Sequence, residues 1–413
     1  MDSQFPLFYR VDQHFPDTSI PDVPAVVRRE FAKFDFGGKI RPGQSVAVGV
    51  PSRGVRDLRD IVITTVACLR ELGLKPYIIP AMGSHGGSTG PGQASVLAGL
   101  GITEATAGVP VKASMDVVRL GKIEEGAEIF LAKDALNADH IVVVNRVKPH
   151  TAFRGEVESG LCKVLAIGLG RQVGASNLHR YQLSQIIVPA AKFIMAKAPV
   201  LCGVAVTENA LEGTHSLHLA APAEFAGVDR DLLKQAWTLL PRLPLDQLDV
   251  LFVDELGKEI SGAGMDPNVI GLWRREGGER KPDYRTLAVF NLTPASHGNA
   301  AGIGMADLMP QHMKDSVDWA ATYMNVLTSR VLRAARVPVT LESDRRVVEM
   351  ALDTHPDPLS ARVGRIRNTL SLGTFWVSGP VLPELRGKQG ITIHDKPLAL
   401  SFNQNDILLP FAI

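Results

Sequence analysis

Apolar positions run along this chain in two rhythms. From Asp22 to Phe34 the segment DVPAVVRREFAKF repeats them at helical spacing, with Pro24 well placed for a first turn. SVAVGV, residues 45 to 50, is a continuous apolar run and predicts a buried strand, followed by the turn PSRG and a helix from about Arg56 to Leu72. KPYIIP, residues 75 to 80, predicts the next strand, which stops at AMGSHGGSTGPG. Smaller elements and loops fill residues 90 to 130, and HIVVV, residues 140 to 144, predicts a central strand. A helix carrying LCKVLAIGLG follows, then a helix from about Gln182 to Ala196, a strand LCGVAVTEN and a helix from Ala223 to Leu240.

Strand, turn, helix and strand at this spacing predict a largely parallel α/β sheet flanked by helices. PRLPLDQLD, residues 241 to 249, reads as a linker, because each proline blocks a continuing helix and extends the residue before it. A second α/β unit begins there with DVLFVDELG, SGAGMDPNVIG and TLAVFNLTPASHGNAAGIG, and the closing ALSFNQNDILLPFAI reads as one or two strands. The expected organisation is therefore an N-terminal domain over 1–245 and a C-terminal domain over 246–413, with the active site in the crevice between them.

Composition narrows the function classes. The 413 residues are 45% hydrophobic and 21% charged, which is a globular balance, and 44 Lys plus Arg against 43 Asp plus Glu leaves a net charge of +1. So even a balance gives no footprint for nucleic acid. No apolar run approaches the ~20 residues of a membrane span, and MDSQFPLFYRVDQHF lacks the features of a signal peptide. Cys68, Cys162 and Cys202 are too few for a disulfide framework, so the expected compartment is the cytoplasm.

In parallel sheets ligands bind beyond the carboxyl ends of strands. PSRG, GSHGGSTG and the stretch after HIVVV all fall there, so chemistry is expected at one sheet edge. The amides of Gly86, Gly87 and Ser88 are candidates to cradle a phosphate, although the loop fits neither common nucleotide fingerprint, and a bare turn would also explain its glycines. Ser52 and Arg53 are further anion-binding candidates. His85, between glycines, suits proton transfer at neutral pH. His150 follows Arg146 and Lys148, a cationic cluster suited to a carboxylate or phosphate; as a plain alternative it is a hydrogen-bonded loop histidine. Lys163 sits in an apolar segment, where a buried ammonium tends to lose its proton or find a partner, making it a candidate nucleophile or covalent anchor. It could instead lay its stem on apolar surface and expose its head. His179 alone reads as structural. In the second unit, Asp254, Glu255, Lys258, Asp266, Asn268, His297 and Asn299 are expected in loops after strands.

Taken together, GSHGGST, RVKPHTAFRG, ESGLCKVLAIGLG, DELGKEISGAGMDPN and NLTPASHGNAAGIG resemble the lactate racemase family, whose members use a nickel-pincer nucleotide. The resemblance spans roughly residues 40 to 310. It implies that Lys163 is joined through a thioamide to a pyridinium mononucleotide holding nickel, and that His179 supplies the remaining nickel ligand. It further implies that His85 and His150 act as alternate acid and base on the substrate hydroxyl while the C2 hydride passes to the cofactor and back. Arg53 falls at the place of a substrate-contacting arginine, and Arg274 near a second basic position. Enzymes that assemble the cofactor are the implied partners.

The chain also departs from that pattern. Val50-Pro51-Ser52-Arg53 stands where lactate-acting members have Asp-x-Thr-Arg, Ile270 and Gly271 replace Tyr and Gln, and FRGEVES widens the interval from His150 to Lys163. These changes imply a larger or more polar 2-hydroxy acid than lactate, such as an aldonic acid, with His297 and Asn299 as contacts for its extra hydroxyls. The expected activity is racemisation or epimerisation. The alternatives are an oxidoreductase or lyase on the same fold, or a non-catalytic anion-binding protein.

Overall fold

Each apolar run of the N-terminal half becomes a strand buried on both faces. In the computed structural model, which describes residues 5–52 and 55–411, the strands Lys75–Pro80, Ser45–Val50, His140–Arg146, Val200–Glu208 and Thr214–Ala220 lie side by side in that order. The first four are parallel and the last is antiparallel. Successive side chains alternate between two cores: Ala47, Ile141 and Val143 point to one, and Val46, Val48, Val142 and Val144 to the other. Helices Val23–Lys33 and Leu58–Glu71 cover one face, while Leu183–Lys197 and Phe225–Leu239 cover the other. A fully buried valine contributes about 1.5–3 kcal/mol, so the central strands set the register of the whole unit. Asp22 caps the first helix by accepting from the Ala25 N–H at 2.9 Å, with Pro24 in the first turn as its spacing predicts.

Because three neighbouring strands run parallel, their carboxyl ends share one edge. The turn at Ser52, the loop bearing His85 and the loop bearing His150 all leave from it.

The chain divides into two units, Pro16–Leu240 and a second that joins the residues through Phe15 to those from Pro241 onward. The sequence predicts a first domain over 1–245. The opening residues fall elsewhere because Phe8–Gln13 is a strand, antiparallel to both Thr374–Ser378 and Ile391–Ile393, with Phe8 and Val11 fully buried. The second unit is an eight-stranded sheet. Val339–Leu341, Leu308–Pro310, Thr286–Leu292, Val250–Leu256 and Val363–Ile366 run parallel in that order; Thr374–Ser378, Phe8–Gln13 and Ile391–Ile393 complete it antiparallel.

Two local expectations change. The closing segment forms isolated bridges at Phe402–Leu408 and Phe8–Leu398 in place of full strands, because Asn403 folds the polar NQND into a turn by accepting from Asn405 and Ile407. The Lys163 helix is broken into an α turn Leu161–Lys163, a π turn Val164–Gly168 and an α-helix Arg171–Leu178. Such π insertions are frequent at functional sites. Among the described residues no helix is long and apolar enough to cross a membrane.

Candidate active site

Four of the residues singled out in sequence, His85, His150, Lys163 and His179, belong to the Pro16–Leu240 unit. The loop after Lys75–Pro80 turns through Gly86 (φ 65°), Gly87 (φ 65°) and Ser88 (φ 58°), a left-handed run that only glycine adopts cheaply. A Cβ on Gly86 would sit 2.7 Å from the Gln93 nitrogen, so the position also admits no side chain. His85 precedes this run, and its Nδ1 lies 2.5 Å from the Ser52 hydroxyl. Arg53, expected to contact substrate, lies outside the described residues.

Beneath the loop is a buried polar tie that the sequence reading missed. Gln93, fully buried, donates to the carbonyls of Gly83 at 2.8 Å and His85 at 3.2 Å. Its own carbonyl accepts from Arg171 Nη1 at 2.8 Å. Arg171 is fully buried, has φ 54° and also donates to the Pro80 carbonyl. Among the described residues its Nε and Nη2 have no partner, and burial pulls its pKa down to about 10 against the opposing charge of Asp134. A strained, buried arginine is costly and persists only where its surroundings fix it. Here it joins the His85 loop to the segment between Lys163 and His179. An arginine directly after a Gly-x-Gly exit from an apolar helix was the available signal.

The second loop is held from both ends. The His150 N–H donates to Glu158 Oε2 at 2.7 Å, and the His150 carbonyl accepts from Arg154 Nη1 at 2.8 Å. His150 Nδ1 accepts from the Ala152 N–H at 3.1 Å, which assigns the neutral ring's proton to Nε2. Phe153 lies against the imidazole, with ring centroids 4.3 Å apart. Arg146, read in sequence as part of an anion-binding cluster, forms an ion pair with Glu208, so its charge serves the neighbouring strand.

Asp229 then fixes the turn that carries Lys163. Its carboxylate, fully buried, accepts from the Leu161 and Cys162 N–H groups at 2.8 Å each. Gly160 (φ 97°) makes this approach feasible, since a Cβ there would lie 2.1 Å from Asp229 Oδ1. Burial raises the Asp229 pKa to about 7 despite these two donors. Nothing in the local sequence marks Asp229, which arrives from a helix far along the chain.

Lys163 itself is half-buried. Its Nζ lies 6.0 Å from the Phe153 ring centroid, and among the described residues it has no hydrogen-bond or ion-pair partner. The residue keeps some surface, but its amine is dehydrated enough that burial lowers its pKa to about 8, with the charge of Glu158 opposing the shift. His179 ends the following helix, and its Nδ1 lies 2.7 Å from the Ala175 carbonyl, which puts a proton on Nδ1 and, in the neutral ring, leaves the lone pair on Nε2. That is the tautomer a metal-binding imidazole adopts when a backbone carbonyl orients it. Among the described residues no group of three or more His, Cys, Asp or Glu could hold a metal ion.

In the other unit, Arg274 is largely buried and its guanidinium is engaged. It pairs with Asp307 at 2.6 Å, donates to the Arg285 carbonyl at 2.9 Å and stacks over Trp273 and Tyr284. His297 is exposed with φ 46°, and Asn299 accepts from the Ala301 N–H at 3.1 Å. Asp254 and Glu255 lie within strand Val250–Leu256, where loops were expected. Their carboxylates bind Arg365 at 2.8 Å and Arg367 at 3.1 Å.

A largely parallel α/β architecture with ionisable side chains at one strand edge is the arrangement in which open α/β sheets place their ligands. No family model and no curated protein matches the chain. Among solved structures it is similar to the lactate racemase apoprotein from Thermoanaerobacterium thermosaccharolyticum, with a TM-score of 0.55 and 11% identity, covering 88% of this chain and 99% of that one. At that identity the likeness concerns the fold.

Proposed function

We propose that the chain is a racemase or epimerase of a 2-hydroxy carboxylic acid that works with a nickel-pincer nucleotide attached at Lys163. The observation that carries this reading is the amine of Lys163, dehydrated and without a hydrogen-bond partner among the described residues, on the same unit as His85, His150 and a Nδ1-protonated His179. The likeness to a lactate racemase apoprotein supports it.

The residues fit such a group. Lys163 offers an amine that loses its proton more readily than a surface lysine does, and His179 offers an Nε2 lone pair of the kind nickel takes. The backbone N–H groups of Gly86 and Gly87 would hold a phosphate, while the Ser88 N–H already donates to the His85 carbonyl at 3.3 Å. When bound, the group supplies an acceptor for the hydrogen that leaves C2 with its electron pair. The chain's own residues do the rest. His85 and His150 take and return the hydroxyl proton, one for each face of the substrate. Ser52 orients the His85 ring through its 2.5 Å contact, a role closer to the geometry than direct cofactor binding. Arg53 would bind the carboxylate, whereas the Arg274 guanidinium is already engaged by Asp307 and the Arg285 carbonyl.

For the substrate we infer a polyhydroxy acid such as an aldonic acid. Val50 and Ile270 are fully buried, and a Cβ on Gly271 would meet Trp273 Nε1 at 2.5 Å. None of the three carries a polar side chain of the lactate-acting pattern. A chiral-product screen over 2-hydroxy acids, using protein prepared with cofactor-assembly enzymes, checks this. The expected result is a kcat/KM for an aldonic acid exceeding that for lactate by more than about tenfold. The reverse order would remove the substrate assignment, and inertness towards the whole panel would favour a lyase or oxidoreductase.

A further inference from the structure

The loop bearing His85 is fastened to the segment running from Lys163 to His179 by hydrogen bonds at two levels. At the backbone, the Gly83 N–H donates at 3.0 Å to the carbonyl of Gly168, the last residue of the π turn that follows Lys163. A Cβ on Gly168 would lie 2.5 Å from the Ala81 carbonyl oxygen, so the two backbones approach this closely only at a glycine. Among the side chains, Gln93 spans the gap. Its Nε2 donates to the Gly83 carbonyl at 2.8 Å and the His85 carbonyl at 3.2 Å, and its Oε1 accepts from Arg171 Nη1 at 2.8 Å. The neighbours admit one orientation of this amide. A guanidinium offers donors and no acceptor and a carbonyl the reverse, so a turned amide would set N–H against N–H on one side and oxygen against two oxygens on the other. Arg171 forms no ion pair among the described residues; its charge is held by two neutral acceptors, Gln93 Oε1 and the Pro80 carbonyl.

From this geometry we propose that Gln93 is a positioning residue for His85 and that Arg171 sets the direction in which its amide donates. The placement of His85 is thereby dictated by the segment that carries Lys163 and His179. The consequence for catalysis rests on His85 being a proton-transfer group; the brace itself does not. An imidazole that takes and returns a proton has to be held close to its productive position. The ring of His85 is held by the Ser52 hydroxyl at 2.5 Å, and its carbonyl by Gln93.

A side chain that only fills space can be exchanged for one of the same shape without local effect. Gln93→Glu is that exchange, and it separates packing from positioning. It keeps an oxygen towards Arg171 and gives the buried guanidinium a counter-charge, which holds the new carboxyl ionised. The donor that faced the Gly83 and His85 carbonyls becomes an acceptor, so the loop loses its fastening while the interior keeps its volume.

The test uses the full chain free of cofactor and compares wild type, Gln93→Glu and Arg171→Met by amide hydrogen exchange and by the ring resonances of isotope-labelled histidine. In Gln93→Glu the Gly83 N–H and the Ser88 N–H, which donates to the His85 carbonyl at 3.3 Å, should exchange about tenfold faster, the equilibrium weight of one net hydrogen bond. The His85 ring resonance should shift, while exchange in strand His140–Arg146 and the unfolding midpoint stay as in the wild type. Arg171→Met frees the amide to turn and should give the same two local changes; it decides the matter if Gln93→Glu does not fold. Unchanged Ser88 exchange or an unshifted His85 resonance in a folded variant, or acceleration spread equally over the sheet, would overturn the proposal. Neither readout needs cofactor or substrate. Failure here would leave the assigned reaction standing, and failure to find turnover would leave the brace standing.

Discussion

Replacing His85 or His150 with alanine is expected to lower turnover of the 2-hydroxy acid by about 10²–10⁴-fold, the usual worth of a positioned acid or base. Each ring is oriented through Nδ1, His85 by the Ser52 hydroxyl and His150 by the Ala152 N–H. Orientation of this kind has value only if the opposite nitrogen has a task. For a true racemisation the two mirror-image acids are equal in free energy, so kcat/KM must fall by the same factor in both directions. The controls are an unchanged fold and unchanged modification at Lys163, read by circular dichroism and intact mass. Full turnover in either variant would reduce that histidine to a loop hydrogen bond.

The second large effect concerns stability. Asp229→Ala leaves the buried Leu161 and Cys162 N–H groups without acceptors, at about 1–3 kcal/mol each, and opens a small cavity. A loss of about 3–5 kcal/mol is expected in denaturant unfolding, with fast exchange of those two amides as the local signature. Asp229→Asn separates charge from shape. Burial raises the folded pKa of Asp229 from 3.8 to about 7, so between those values the folded state keeps a proton that the unfolded state has released. Its contribution is therefore fully present below pH 3.8 and is lost as pH rises through 7. Wild-type stability should decline relative to Asp229→Asn across that window. A parallel pH dependence of the two proteins would contradict the assignment.

Sequence periodicity made the first sheet legible, because strands buried on both faces read as unbroken apolar runs and parallel pairing forces their ends to one edge. The loops bearing Ser52, His85 and His150 followed from that. Phe8–Gln13 was not legible, since its partners Thr374–Ser378 and Ile391–Ile393 lie at the opposite end of the chain. The same limit hid Asp229 and Gln93, whose roles depend on tertiary hydrogen bonds with no local signature. Glu158 was visible only as part of an apparent insertion. Arg146, judged by its charge and position, is engaged by Glu208, a partner that sequence order does not reveal.

The central claim is that Lys163 carries a nickel-binding nucleotide, and intact and peptide mass spectrometry with metal analysis test it most directly. The measurement takes protein produced alongside cofactor-assembly enzymes and compares it with Lys163→Ala and His179→Ala. The account predicts a nucleotide-sized mass addition on the Lys163 peptide with nickel in stoichiometric amount, no addition in Lys163→Ala, and addition with reduced nickel in His179→Ala. An unmodified Lys163 peptide and no nickel in the wild-type protein would contradict it.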